Sequence, residues 1–145
     1  MTNIESMRNL RCIKKLYDHI IREVCVKYDI GRPELDIISF LNCNSDLDVA
    51  SDIVEHCVLS KANVSQAVER LIQKQLLIRV PDVNDRRRIH LTLTDSSRPI
   101  VSDIDKAYET FRSVLISGIP ESKLAVYCEV SMRMAENAKE YLNEK

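Results

Sequence analysis

The sequence predicts a mainly α-helical fold that carries one small β-hairpin. Three observations point there. Apolar residues recur every three or four positions through several long stretches, the pattern of helices that bury one face. Only Leu76–Val80 and Ile89–Leu93 are rich in Ile, Leu, Val and Thr as strands are, and an arginine-rich tip separates them. Gly is present only twice, at 31 and 118, both between helical stretches. With 145 residues, 45% of them hydrophobic, the chain is long enough to enclose a core as a single domain.

From Ile4 to Tyr28 the stripe runs through Met7, Leu10, Ile13, Tyr17, Ile20, Ile21, Val24 and Tyr28, a long helix expected to stop at Gly31 and Pro33. A shorter helix over Glu34–Asn42 places Leu35, Ile38 and Leu41 on one face, and the Asn-Cys-Asn-Ser-Asp run after it is turn material. Ala50, Ile53, Val54 and Cys57 make a third short stripe. Ser60 is an N-cap, and Ala62–Lys74 continues at helical period through Val64, Ala67, Val68, Leu71 and Ile72. The opposite face of that helix is polar, with Lys61, Asn63, Ser65, Gln66, Glu69, Arg70 and Gln73. After the hairpin, Ile100, Ile104, Ala107, Tyr108, Phe111, Val114 and Leu115 form a stripe whose helix starts near Ser96 or Ser97, because Pro99 suits only a first turn. Pro120 opens a last helix with Leu124, Tyr127, Val130, Met134, Ala138 and Leu142 along one side.

Two short helices joined by a tight turn and followed by a hairpin make a winged helix-turn-helix pattern. The long apolar helices at the two ends exceed what so small a core can cover. Burial against a second copy, a homodimer, is the economical expectation, with 1–30 and 98–145 as dimerisation helices and 34–97 as the winged lobe of a single domain 1–145.

The formal charge of −1 argues at first against nucleic acid, since phosphates are bound mainly by Lys and Arg. Its distribution reverses that inference. Residues 60–90 hold seven basic and three acidic side chains, whereas both flanks are acidic. Other classes lose support. Two glycines cannot build a phosphate-cradling loop, and neither H-E-x-x-H nor G-x-S-x-G is present, so no enzyme and no cofactor are expected. Five cysteines without a C-x-x-C pair read as reduced thiols. The start, MTNIESMRNLRC, carries no apolar stretch of the secretory kind, and uncharged runs such as 37–45 are too short to span a membrane. A cytoplasmic protein without membrane contact is expected.

The segments Ser60-Lys61-Ala62-Asn63-Val64-Ser65-Gln66-Ala67-Val68-Glu69-Arg70-Leu71, Leu76-Leu77-Ile78-Arg79 and Asp85-Arg86-Arg87-Arg88-Ile89-His90-Leu91-Thr92-Leu93-Thr94 resemble the recognition helix, first wing strand and D-R-R-x-x-x-x-x-L-T wing of the MarR family of transcriptional regulators. The resemblance covers the chain in order and length, with motif detail over about residues 47–98. It implies a homodimeric, sequence-specific regulator of double-stranded DNA, of repressor type, that reads a pseudo-palindromic operator and is released by a small aromatic or acyl effector. The helix from Ser60 would enter a major groove, with Lys61 on a phosphate and Asn63, Ser65, Gln66 and Arg70 at base edges or backbone. Arg87 occupies the family's minor-groove arginine position. Asp85 would hold its guanidinium, while Arg86 and Arg88 neutralise phosphates or pair back to the protein.

The chain also departs from the family. Val58, Gln75 and Ser97 stand where members often carry Gly. Some members sense oxidants through a cysteine in the first helix, which makes Cys12 a candidate, although a helical cysteine is more often a small packing residue. His19, His56 and His90 are dispersed without acidic spacing for a metal; His90 reads as structural or as lying near the DNA backbone. The rival reading is a winged-helix protein-interaction module, disfavoured because interface centres are apolar and exclude Lys.

Overall fold

The computed structural model describes residues 3–143; the first two residues of the segment read for an export signal, and the ends of both terminal helical arms, lie outside them. Six helices and one hairpin follow in the expected order. Helix α1 spans Asn3–Tyr28 and α2 Arg32–Cys43. The stop between them differs from expectation. Asp29 takes the left-handed conformation (φ 51°), and the Ile30 amide donates to the Cys25 carbonyl at 3.0 Å, so the turn is made two residues ahead of Gly31. Gly31 is extended (φ −80°) and caps α2, while Pro33 falls in its first turn, where the missing N–H is harmless. The Glu34 carboxylate reaches back to accept the Gly31 amide.

Helix α3 (Ala50–His56) and helix α4 (Lys61–Gln73) are joined by a turn in which Val58 is left-handed at φ 53°. Ser60 caps α4 as expected, its Oγ accepting the Asn63 amide at 3.1 Å. The end of α4 resolves the missing glycine at 75: Gln75 is left-handed (φ 57°), its amide donates to Ile72, and the Leu76 amide donates to Leu71. These two bonds and the burial of Leu76 close the helix. Leu76 is thereby used in the turn, and strand β1 begins one residue later than expected, at Leu77–Pro81. It pairs antiparallel with β2 (Ile89–Leu93), setting Arg79 opposite Leu91 and Val80 opposite His90.

A single 3-10 turn at Asp95–Ser97 leads into α5 (Arg98–Ile116), with Pro99 at its second position. Ser97 needs no glycine-like backbone there. It is buried, and its Oγ donates to the Thr94 carbonyl at 2.7 Å. Gly118 (φ 74°) turns the chain before α6 (Glu121–Asn143).

The chain forms two compact units, residues 1–111 and 112–145. The first contains one continuous core, contributed by Ile21 and Val24 of α1, Leu35, Ile37 and Ile38 of α2, Ile53 of α3, Val64, Val68 and Leu71 of α4, Leu77 and Leu91 of the hairpin, and Ile100 and Ile104 of α5. Tyr17, Tyr108 and Phe111 pack ring on ring, and Asp103 accepts hydrogen bonds from Lys27 and Tyr28. The second unit holds the end of α5 and α6. None of the residues of α6 is buried within one copy, and Val126, Tyr127, Val130, Met134 and Leu142 are all more than half exposed.

Candidate nucleic-acid interface

The polar face of α4 is open. Burial of Val64, Ala67, Val68 and Leu71 turns Ala62, Gln66, Glu69 and Gln73 outward, since residues three and four apart share a face. Lys61 and Ser65 border a cleft of about 760 Å³ between α3, α4 and the hairpin, with Val54, Val68, Arg79 and Leu91 in its walls. Asn63 and Gln66 are exposed along the helix. Arg70, expected at base edges or backbone, also has a partner inside the protein. Its Nη1 lies 3.0 Å from Oε1 of Glu34, a carboxylate only 2% exposed, so its first role is to balance a buried charge. Arg79, which the sequence reading passed over, pairs with Glu69, the one acidic side chain of the α4 face. That pairing masks a negative charge that would otherwise repel phosphate. A single acid on a polar helical face was the signal for it.

The wing tip is built by carboxylates that hold backbone amides. Asp82 Oδ1 accepts the amides of Asn84 and Asp85 at 2.7 and 2.8 Å, and the Asp82 amide donates to the Arg88 carbonyl at 3.0 Å. Asp85 is expected to grip the Arg87 guanidinium; in the structure its Oδ1 instead accepts the Arg87 main-chain N–H at 2.9 Å. A carboxylate two residues back reaches that amide far more easily than it reaches the end of a long side chain, as in any Asx-turn. Arg86, Arg87 and Arg88 are exposed, and among the described residues no carboxylate lies within ion-pair distance of their guanidinium groups. Three uncompensated charges thus stand on a tip whose main chain is fixed.

His90, whose sequence surroundings lack acidic spacing for a metal, has two carboxylates against its ring. Nδ1 is 2.7 Å from Asp48 Oδ1 and Nε2 is 2.9 Å from Asp82 Oδ2. Asp48 is 42 residues away in sequence, so no spacing rule could find it. The two carboxylates, Asp48 first, push the His90 pKa up from its ordinary 6.5. In return His90, and then the amides of Asn84 and Asp85, hold Asp82 down at about 2.

The cysteines fall into two groups. Cys12, Cys43 and Cys128 are exposed, whereas Cys25 and Cys57 are partly covered and burial pushes their thiols up, away from the reactive thiolate. Among the described residues no helix is long and apolar enough to cross a membrane.

A capped, polar-faced helix beside a basic hairpin is the winged helix-turn-helix arrangement found in nucleic-acid-binding proteins. The MarR family model matches residues 28–88. The chain is 31% identical to the uncharacterized Bacillus subtilis HTH-type transcriptional regulator YfiV, covering 79% of this chain and 72% of that protein, and 24% identical to the B. subtilis HTH-type transcriptional regulator MhqR over 92% and 91%. It therefore belongs to the MarR family of transcriptional regulators. Solved structures share the fold. S. aureus MepR in complex with DNA superposes with a TM-score of 0.62 (20% identity, 88% of this chain and 96% of that one). Bordetella bronchiseptica BpsR, whose DNA binding is regulated by 6-hydroxynicotinic acid, superposes with 0.71 (19% identity, 90% and 98%).

Proposed function

We propose that the protein acts in the cytoplasm as a homodimeric, ligand-responsive repressor that binds a pseudo-palindromic DNA operator. The observation that carries the reading is the exposed Arg86–Arg88 tip, free of ion pairs among the described residues, its main chain held by the Asp82 and Asp85 carboxylates, on the hairpin that follows the open-faced helix α4. Lys61, Asn63, Ser65 and Gln66 face the major groove with Ser60 capping their helix, and Arg87 enters the minor groove. Asp85 serves by setting the Arg87 backbone, Arg86 and Arg88 meet phosphates, and Arg70 acts through Glu34 more than through bases. The uncovered apolar side chains of α1 (Ile4, Met7, Leu10) and α6 (Val126, Tyr127, Val130) support a dimer, because a single copy leaves them in water. Two lobes then read half-sites about one helical turn apart.

The effector site is assigned to the open groove of about 380 Å³ lined by Asp36, Ser39, Phe40, Cys43, Cys57 and Tyr108, where a phenylalanine and a tyrosine offer contacts to a small aromatic or acyl group. A ligand that altered lobe separation would release DNA, since both lobes must fit their grooves together.

Binding to upstream intergenic fragments tests the reading. Affinity should fall steeply with salt, and Arg87→Ala should weaken it by about 1–3 kcal/mol per contact. Absent or salt-independent binding across a genomic fragment library would refute it.

A further inference from the structure

We propose that Asp48, His90 and Asp82 form a clasp that locks the arginine tip of the wing to the connection ahead of α3, so that protonation of His90 gates DNA affinity. The proposal rests on the DNA-binding reading above.

Elementary hydrogen-bond accounting carries the first step. Both ring nitrogens of His90 face carboxylate oxygens, at 2.7 and 2.9 Å, and an ionised carboxylate only accepts. A neutral imidazole has a single N–H and satisfies one of them; the imidazolium satisfies both. The second step is connectivity. Asp82 joins His90 through Oδ2 and the amides of Asn84 and Asp85 through Oδ1, and Asp85 in turn holds the Arg87 amide. The clasp thus continues, bond by bond, to the main chain that carries the arginines.

On the other side, Asp48 belongs to the connection between α2 and α3, and its carbonyl also accepts the Leu91 amide at 2.8 Å. A two-stranded hairpin has little stability of its own, so these anchors decide how firmly the wing stands. The charged surroundings are few. Across the hairpin His90 faces apolar Val80. Asp52, Asp85, Arg87 and Arg88 line the neighbouring cleft, where Asp52 is engaged by the Val49 amide and Asp85 by the Arg87 main-chain amide.

When His90 loses its proton, one carboxylate faces a ring lone pair and two acidic groups are left beside a surface meant for phosphate. A neutral ring has one N–H for two carboxylates, so one of the two bonds opens and the link from the wing tip to the connection ahead of α3 is broken. The tip is then less well organised before binding, which weakens the complex without removing any group that touches DNA. The raised pKa of His90 fits this order: the clasp is complete below about pH 6.5 and is lost as pH climbs through the higher folded value.

The test uses a duplex selected from a random pool by the wild-type protein at pH 6, with affinity read by fluorescence anisotropy from pH 6 to 8.5 at constant ionic strength. Wild type should bind about tenfold more weakly at the upper end, as expected for one lost charge-assisted hydrogen bond. His90→Gln should bind like wild type at high pH, and Asp48→Asn, whose amide can donate to the neutral ring, like wild type at low pH, both with flat profiles. A steep profile retained in Asp48→Asn means that the imidazolium attracts phosphate directly, and it overturns the clasp. In the free protein, NMR titration should place His90 above 6.5, and amide protection at Asn84 and Asp85 should fall in Asp48→Ala, which removes the partner of Nδ1. A His90 that titrates at or below 6.5 with unchanged protection overturns the proposal even if no duplex is ever selected. Failure of the selection alone counts against the DNA-binding function instead.

Discussion

Val58 offers a direct measure of the strain stored at the helix-turn-helix corner. Its φ of 53° is left-handed, a conformation in which the Cβ of an L-residue crowds the following carbonyl, and its side chain is 92% exposed, so packing returns little for that strain. The left-handed conformation costs about 1–2 kcal/mol for a residue with a Cβ, and a β-branched residue stands at the upper end. Replacement by glycine removes that cost but enlarges the unfolded ensemble by about 0.5–1 kcal/mol. The small covered part of the side chain forfeits about 0.3 kcal/mol.

Val58→Gly should therefore stabilise the protein by about 0.5–1 kcal/mol in urea denaturation, or roughly 2–3 °C in Tm for a chain of this length. Val58→Asn should gain less and Val58→Ala almost nothing, because alanine keeps the Cβ. DNA affinity should be unchanged, since the turn retains its shape. A Val58→Gly variant no more stable than Val58→Ala would refute the strain argument.

Other outcomes follow from the same structure. Arg70→Ala should destabilise the fold by about 1–2 kcal/mol, less than for a fully buried pair because the guanidinium is more than half exposed, and Glu34→Gln should relieve much of that loss. If Arg70→Ala abolishes DNA binding at unchanged stability, the guanidinium is a DNA contact after all. Ser60→Ala should cost about 1 kcal/mol through loss of the α4 cap, read by thermal melting. Lys27 first, then Tyr28 and Lys106, holds Asp103 at about 2, so its contribution is present above the ordinary 3.8 and is lost as pH falls through 2. The acid side of the Tm curve should flatten in Asp103→Asn; an unaltered curve would show that the α1–α5 contact is neutral. A thiol reagent should modify Cys12, Cys43 and Cys128 quickly and Cys25 and Cys57 slowly, and one uniform rate for all five would contradict the burial described.

Most of the fold was legible because its signals are local. The stripe from Met7 to Tyr28, the Ser60 cap and the Ile, Leu, Val and Thr of β2 each depend on residues within one or two turns of themselves. The boundaries were less legible where two local solutions compete. Leu76 has the side chain of a strand residue, yet its amide closes α4, and Asp29 ends α1 before the glycine expected to do so. The site divides in the same way. Residues 60–66 and 85–88 could be proposed from their types and order, and all but the buried Val64 are exposed, whereas the partners of Arg70, Arg79 and Asp85 could not be foreseen.

Composition and periodicity alone determined the helical class, the place of the hairpin and the basic segment hidden inside a nearly neutral chain, since each is a property of neighbours along the backbone. Only the tertiary structure decided which charges remain available. Folding brings Glu34 to Arg70, Glu69 to Arg79, and Asp48 to His90 across 36, 10 and 42 positions of sequence. Opposite charges seek each other wherever packing puts them within reach; Arg86, Arg87 and Arg88 meet no carboxylate among the described residues, which leaves them available for the phosphate contacts proposed above.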